Sequence, residues 1–130
     1  MTKPTLPTIP FKSPKSFETW LEKQHHKSTG IWMKIYKKDS GIKTITYAEA
    51  LDVALCFGWI DGQKQAFDEE CWLQKFCPRT TKSIWSKVNI GHVERLIKND
   101  KMRPAGLKAI ESAKADGRWE KAYDSPSKMT

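Results

Sequence analysis

The chain has 130 residues, with 23 Lys and Arg against 15 Asp and Glu, a formal net charge of +8. That length suits one domain with a core of its own, and no apolar run approaches the roughly 20 residues that a membrane-spanning helix needs. Three scattered cysteines, Cys56, Cys71 and Cys77, exclude a disulfide framework and lack the spacing of a zinc site, so reduced thiols in a cytoplasmic protein are expected.

Residues 1–10 carry three prolines and no apolar signal segment. They are expected to form a flexible leader, with a short strand starting between Ile9 and Lys12. Ser13-Pro14 predicts a helix start, Ser as N-cap and Pro at the first helical position. Phe17, Trp20 and Leu21 recur at helical spacing behind it, and His25, His26 and Lys27 close the helix before Gly30. Gly30 to Lys38 reads as a strand with Ile31, Met33 and Ile35 on one face and Trp32, Lys34 and Tyr36 on the other. Apolar bulk on both faces predicts an interior strand.

Thr46-Tyr47-Ala48-Glu49 is a capping box. It opens a helix with Tyr47, Ala50, Leu51, Ala54 and Leu55 on one face and Gly58 at its end. Trp59–Phe67 and Cys71–Cys77 read as a hairpin around Asp68-Glu69-Glu70. Simple alternation puts Trp59, Asp61, Gln63 and Gln65 on one face, and Trp72, Gln74 and Phe76 on one face of the second strand. Ser83 or Ser86 is expected to cap a helix reaching about Asn99, with Trp85, Val88, Val93, Leu96 and Ile97 inward. A last helix follows Pro104, with Leu107, Ile110 and Ala113 inward and Gly117 as terminator. Trp119 and Tyr123 are expected to pack back on the body, and residues 125–130 read as a linker or truncated tail. Strands and helices alternate without a glycine-rich phosphate loop, which predicts one α+β domain over 11–124: a small, mainly antiparallel sheet with helices packed on it.

Two stretches carry candidate chemistry. Cys56-Phe57-Gly58-Trp59-Ile60-Asp61-Gly62 turns from helix to strand, and Gly58 permits the tight turn. It offers Trp59 and Asp61 as the floor of a polar pocket, with Lys64 and Arg79 as bases near Asp61; the alternative is a structural ion pair beside a core Trp. Pro78 to Asn89 is a basic, hydroxyl-rich loop entering a helix, where Arg79, Ser83, Ser86 and Asn89 could hold an anion at unsatisfied amides, or the serines could simply cap. Cys56 lacks a Cys-His arrangement that would make it a nucleophile, His25-His26 diverge on a helix, and no catalytic residue, metal site or cofactor is expected.

The positive charge is concentrated. Between Cys71 and Lys108 there are nine Lys/Arg and two acids. Lys75, Arg79, Lys82, Lys87, Arg95 and Lys98 from this segment are the candidates for contacting nucleic acid, unless they form a merely solvated face.

Several motifs together resemble the YdeI/OmpD-associated, bacteriocin-protection-like family: Thr46–Ala50, Cys56–Gly62, Phe76-Cys77-Pro78-Arg79, Ser83–Asn89, Met102–Leu107 and Asp116-Gly117-Arg118-Trp119. The resemblance runs from Phe11 to Ser125. It implies a bacterial protein linked by name to stress or antimicrobial-peptide tolerance and to outer-membrane protein association, and it implies no established enzyme activity. Members continue into a basic C-terminal helical segment, which would begin where Pro126–Thr130 stands, so a shortened tail is expected. Three functions follow as expectations: a binding domain using Trp59, Asp61, Lys64, Arg79, Ser83, Ser86 and Asn89 on a protein or anionic ligand; a nucleic-acid-binding domain; or an enzyme acting on an anionic small molecule.

Overall fold

A computed structural model describes residues 6–80 and 83–122. The linker over 125–130 and Tyr123, like residues 1–5 of the expected leader, lie outside the described residues. In chain order the elements are β1 (Thr8–Pro10), α1 (Pro14–Gln24), β2 (Ile31–Tyr36), a 3₁₀ turn (Lys38–Ser40), α2 (Tyr47–Cys56), β3 (Trp59–Ala66), β4 (Cys71–Pro78), α3 (Lys87–Lys98) and α4 (Pro104–Ala115). The fold is α+β.

The sheet has the order β1-β2-β4-β3. β2 and β3 both pair antiparallel with β4, and β1 pairs parallel with β2. β2 is interior, as its two apolar faces predict. The end of the expected leader is corrected: Thr8–Pro10 forms an edge strand, with Ile9 opposite Met33. A proline at the outer end of an edge strand costs the ladder nothing, because its missing N–H would face outward.

One face of the sheet carries Ile31, Met33, Ile35, Phe76 and Trp59, all buried. Helices α1 and α2 cover it. Phe17 of α1 meets Phe76 with ring centroids 5.8 Å apart, and Trp20 meets Trp59 edge-on at 5.9 Å. Helices α3 and α4 pack against α2, adding Val93, Leu96, Ile110 and Ala113 to the same core. Two inward residues expected from the sequence face out, since Ile97 and Leu107 are both exposed. On α4 the buried stripe is Gly106, Ile110 and Ala113, an i, i+4, i+7 row. Gly106 belongs to it because a Cβ there would stand 2.3 Å from the Cys56 carbonyl oxygen.

The helix starts follow the sequence closely. Ser13 caps α1 in a box closed by Ser16, and Thr46 caps α2 in a box closed by Glu49. Ser86, rather than Ser83, caps α3 by accepting from the Asn89 amide at 3.1 Å.

The β3 face assignment is corrected by a bulge. Asp61 pairs with Phe76, but the next matched pair is Lys64 with Gln74, so two residues of β3, Gly62 and Gln63, oppose one of β4. A bulge reverses the alternation beyond it. Lys64 and Ala66, not Gln63 and Gln65, therefore share the face of Trp59 and Asp61. Buried Gln74 secures the irregularity: its side-chain amide donates to the Gly62 carbonyl at 3.0 Å and the Gln63 carbonyl at 3.3 Å. Glycine inside the strand is what makes the bend cheap. Among the described residues no helix is long and apolar enough to cross a membrane.

Candidate functional site

Asp61 does not meet a base. Its carboxylate accepts a short hydrogen bond from the Tyr47 hydroxyl, which ties the first turn of α2 to β3. Burial above all, and then the bond and charge of Asp61, raise the Tyr47 phenol well above its ordinary value, so it stays a protonated donor. Lys64 lies instead with its ammonium 4.4 Å from the centre of the Trp72 ring. Arg79 stacks on Trp85, its guanidinium carbon 3.5 Å from the ring centroid, and Nη1 donates to the Ile84 carbonyl at 3.2 Å.

Among the described residues the hydroxyls of the loop are engaged within the protein. The Ser83 hydroxyl accepts from the Thr80 amide at 2.9 Å, and the Ser83 carbonyl accepts from Arg118 at 2.7 Å. Ser86 and Asn89 form the cap of α3. Of the seven residues expected to form one surface, the structure brings Trp59 and Arg79 to one cleft. Asp61, Lys64, Ser83, Ser86 and Asn89 are not among its lining residues.

That cleft has a volume of about 310 Å³. It opens where the sheet ends against α4. Gly58, Trp59, Pro78, Arg79 and Thr80 form one wall, and Ala105, Lys108, Ala109 and Ser112 of α4 form the other, with His25, Phe57 and Arg118 completing it. Gly58 adopts a φ of +77°, and a Cβ there would stand 2.9 Å from the Ala105 carbonyl oxygen. Glycine therefore supplies both the left-handed turn and the close approach of α4.

Among the described residues the lining includes Arg79, Lys108 and Arg118 and no carboxylate. Arg118 is held in place from three directions. Nε donates to Asp116 Oδ2 at 2.7 Å, Nη1 to the Ser83 carbonyl at 2.7 Å, and Nη2 to Ser112 Oγ at 3.1 Å. A guanidinium carries two N–H bonds on each Nη, so a second donor remains on both. Its pairing holds the Asp116 carboxyl below the usual carboxylate range. At the other side, His25 Nδ1 sits 2.7 Å from the Leu21 carbonyl, which fixes the proton on that nitrogen and the ring in its plane. Lys108 and Ser112 stand in no motif of the sequence, Arg118 only in a motif of the family resemblance, and His25 only as a helix-closing residue that diverges from His26. The four come from three separate segments.

A second cleft of about 230 Å³ lies between α1, α2 and α3, lined by Glu18, Glu49, Asp52, Cys56 and Arg95 among others. Its charges are mostly paired. Arg95 grips Asp52 with two bonds of 2.8 and 3.2 Å. Burial first, then the Asp52 and Glu18 carboxylates, push the Cys56 thiol up to about 11, which keeps it protonated and unsuited to nucleophilic attack at neutral pH. Burial likewise raises Cys71 and Cys77. Among the described residues no group of three His, Cys, Asp or Glu could hold a metal ion.

The residues considered for nucleic acid are dispersed. Lys75 stands opposite Trp32 on the sheet face away from the core, Arg79 lines the basic cleft, Arg95 is bound to Asp52, and Lys87 and Lys98 sit at opposite ends of α3. Lys82 lies outside the described residues.

A family model described as a domain of unknown function (DUF8412) matches residues 9–109. No curated protein and no solved structure matches the chain.

Proposed function

We propose that this chain, which belongs to the DUF8412 family of unknown function, is a non-enzymatic binding domain that takes an anionic ligand in the cleft between the sheet end and α4. The observation that carries this reading is the charge of the lining: among the described residues it holds Arg79, Lys108 and Arg118 and no carboxylate of its own. The volume, about 310 Å³, lies at the lower end of the range for small-molecule sites, on the order of 300–1,000 Å³. A concave site of one sign concentrates the field that draws in a counter-charge.

Kinship with the YdeI/OmpD-associated proteins, a cytoplasmic location and a part in stress or antimicrobial-peptide tolerance belong to the same proposal. Of these, the kinship alone is what the placement of the motif residues supports. Phe57, Gly58, Trp59, Pro78, Arg79, Ala105 and Arg118, drawn from four of the motifs that carry the resemblance, all line this cleft.

The test is calorimetric titration with inorganic phosphate at low salt. Saturable binding is expected in the wild type. Lys108→Glu should weaken it at least tenfold while the unfolding midpoint stays put, and Lys98→Glu, on α3 away from the cleft, should leave it unchanged. Equal weakening by both variants would mean that net charge, not the cleft, holds the anion, and the proposal would be wrong. No binding by the wild type would equally end it.

A further inference from the structure

The basic cleft does not end at α4. A neighbouring cleft of about 220 Å³ shares His25, Phe57 and Ala105 with it and adds Glu22, Arg103 and Pro104. The two therefore adjoin at the first turn of α4. They differ in polarity. Among the described residues Arg79, Lys108 and Arg118 bring three cations to one end, against the single carboxylate of Asp116 that pairs with Arg118. At the other, Arg103 bridges Glu22 and Glu18, both at 3.0 Å, so its positive charge is already answered, and Phe57, Pro104 and Ala105 supply apolar surface.

Resting on the anion-binding reading above, we propose that the ligand is a phosphomonoester carried on an apolar, ring-sized body. The phosphate sits among Lys108, Ser112 and Arg118, and the body lies along Phe57, Ala105 and Pro104. The donors reach the cationic end from different directions. Lys108 and Ser112 stand one turn apart on α4, and Arg118 approaches from beyond its C-terminus with Nη2 already on Ser112 Oγ. Donors drawn from separate segments suit a tetrahedral oxyanion, whose oxygens point in several directions. A planar carboxylate is satisfied by the fork of a single guanidinium. The size of the second cleft sets the body: an apolar cavity of about 150 Å³ accepts benzene, so about 220 Å³ holds one ring.

The comparison is between methyl phosphate and phenyl phosphate, which carry the same charged group, with benzoate as the planar control. Phenyl phosphate should bind at least tenfold more tightly than methyl phosphate and than benzoate. Its ring protons should show nuclear Overhauser contacts to the Ala105 methyl and the Phe57 ring, a readout that needs no variant. Ala105→Leu, which fills the ledge between the two clefts, should abolish the advantage of phenyl phosphate over methyl phosphate. Equal binding of methyl and phenyl phosphate, or ring contacts elsewhere, overturns the inference about the body and leaves anion binding standing. Benzoate binding as well as phenyl phosphate overturns the phosphate assignment. Failure of all three to bind removes the anion-binding reading itself.

Discussion

The guanidinium of Arg79 lies over the indole of Trp85, 3.5 Å from the ring centroid, and Trp85 in turn meets Trp119 at 5.1 Å. This stack links the end of β4 to the loop before α3 and to the turn that follows α4. Trp85 is almost fully buried, so the cation acts in a partly desolvated setting, where such a contact is worth up to about 2 kcal/mol. Arg79→Ala is expected to destabilise the fold by about 1–3 kcal/mol, measured by denaturant unfolding, through loss of the stack and of the bond to the Ile84 carbonyl. Arg79→Lys should recover less than half of that loss, because an ammonium cannot lie flat on the ring. Full recovery by lysine would show that charge alone matters.

Alkaline pH should loosen the protein through two groups. Burial and the Asp61 carboxylate raise the Tyr47 phenol, and burial pushes the Cys56 thiol up to about 11. A raised folded value means that the folded state keeps its proton after the unfolded chain has lost it. The contribution is therefore whole below the unfolded values, about 8.5 for Cys and 10 for Tyr, and declines as pH climbs through the folded ones. Unfolding free energies of wild type and Tyr47→Phe isolate the phenol. Their difference should be constant from about pH 7 to 9 and shift against the wild type above about pH 10. A constant difference throughout would refute the Tyr47–Asp61 account.

The cap of α3 separates two roles that the sequence left open for Ser86. Its hydroxyl accepts from the Asn89 amide at 3.1 Å, and it does not line the basic cleft. Ser86→Ala should cost about 1 kcal/mol of stability, the usual loss of an N-cap, without changing phosphate affinity. Thr46→Ala, which opens the capping box with Glu49, should cost a similar amount. A drop in phosphate affinity with Ser86→Ala at unchanged stability would give the hydroxyl to the ligand instead.

Local signals were the legible ones. Ser13-Pro14, Thr46 with Glu49, and the acidic hairpin turn each act within four residues, and the turn is closed by Asp68 Oδ1 accepting from the Glu70 and Cys71 amides at 2.8 and 2.9 Å. The bulge at Gly62 was not legible, because a glycine in a strand has several uses and register depends on the partner. Charge and nearness in sequence match Asp61 to Lys64, and charge alone to Arg79, whereas packing α2 on the sheet brings it to Tyr47, 14 residues away. The cleft was least legible of all. Lys108 and Ser112 look like ordinary exposed helix residues until Gly58 and Gly106 bring α4 down onto the end of the sheet.

Two helical glycines put that close approach to the test. In an exposed helix, replacing Gly by Ala gains about 0.5–1 kcal/mol, because the glycine backbone has more freedom to lose on folding. Gly91 in α3 meets nothing within 4 Å of an added Cβ, so Gly91→Ala should stabilise by that amount. Gly106 in α4 has the same propensity term but the opposite surroundings. The added Cβ would lie 2.3 Å from the Cys56 carbonyl oxygen and 2.7 Å from the Met102 methyl. Met102 can turn aside, but the Cys56 carbonyl is backbone and accepts from the Arg103 amide at 3.0 Å, so α4 itself has to move. Overpacking of this kind costs about 1–3 kcal/mol, enough to outweigh the helix gain. Gly106→Ala should therefore lower stability in denaturant unfolding. It should also weaken phosphate binding, since displacing α4 carries Lys108 and Ser112 away from Arg118. A stabilised Gly106→Ala variant with unchanged affinity would mean that α4 does not rest on the Cys56–Gly58 turn.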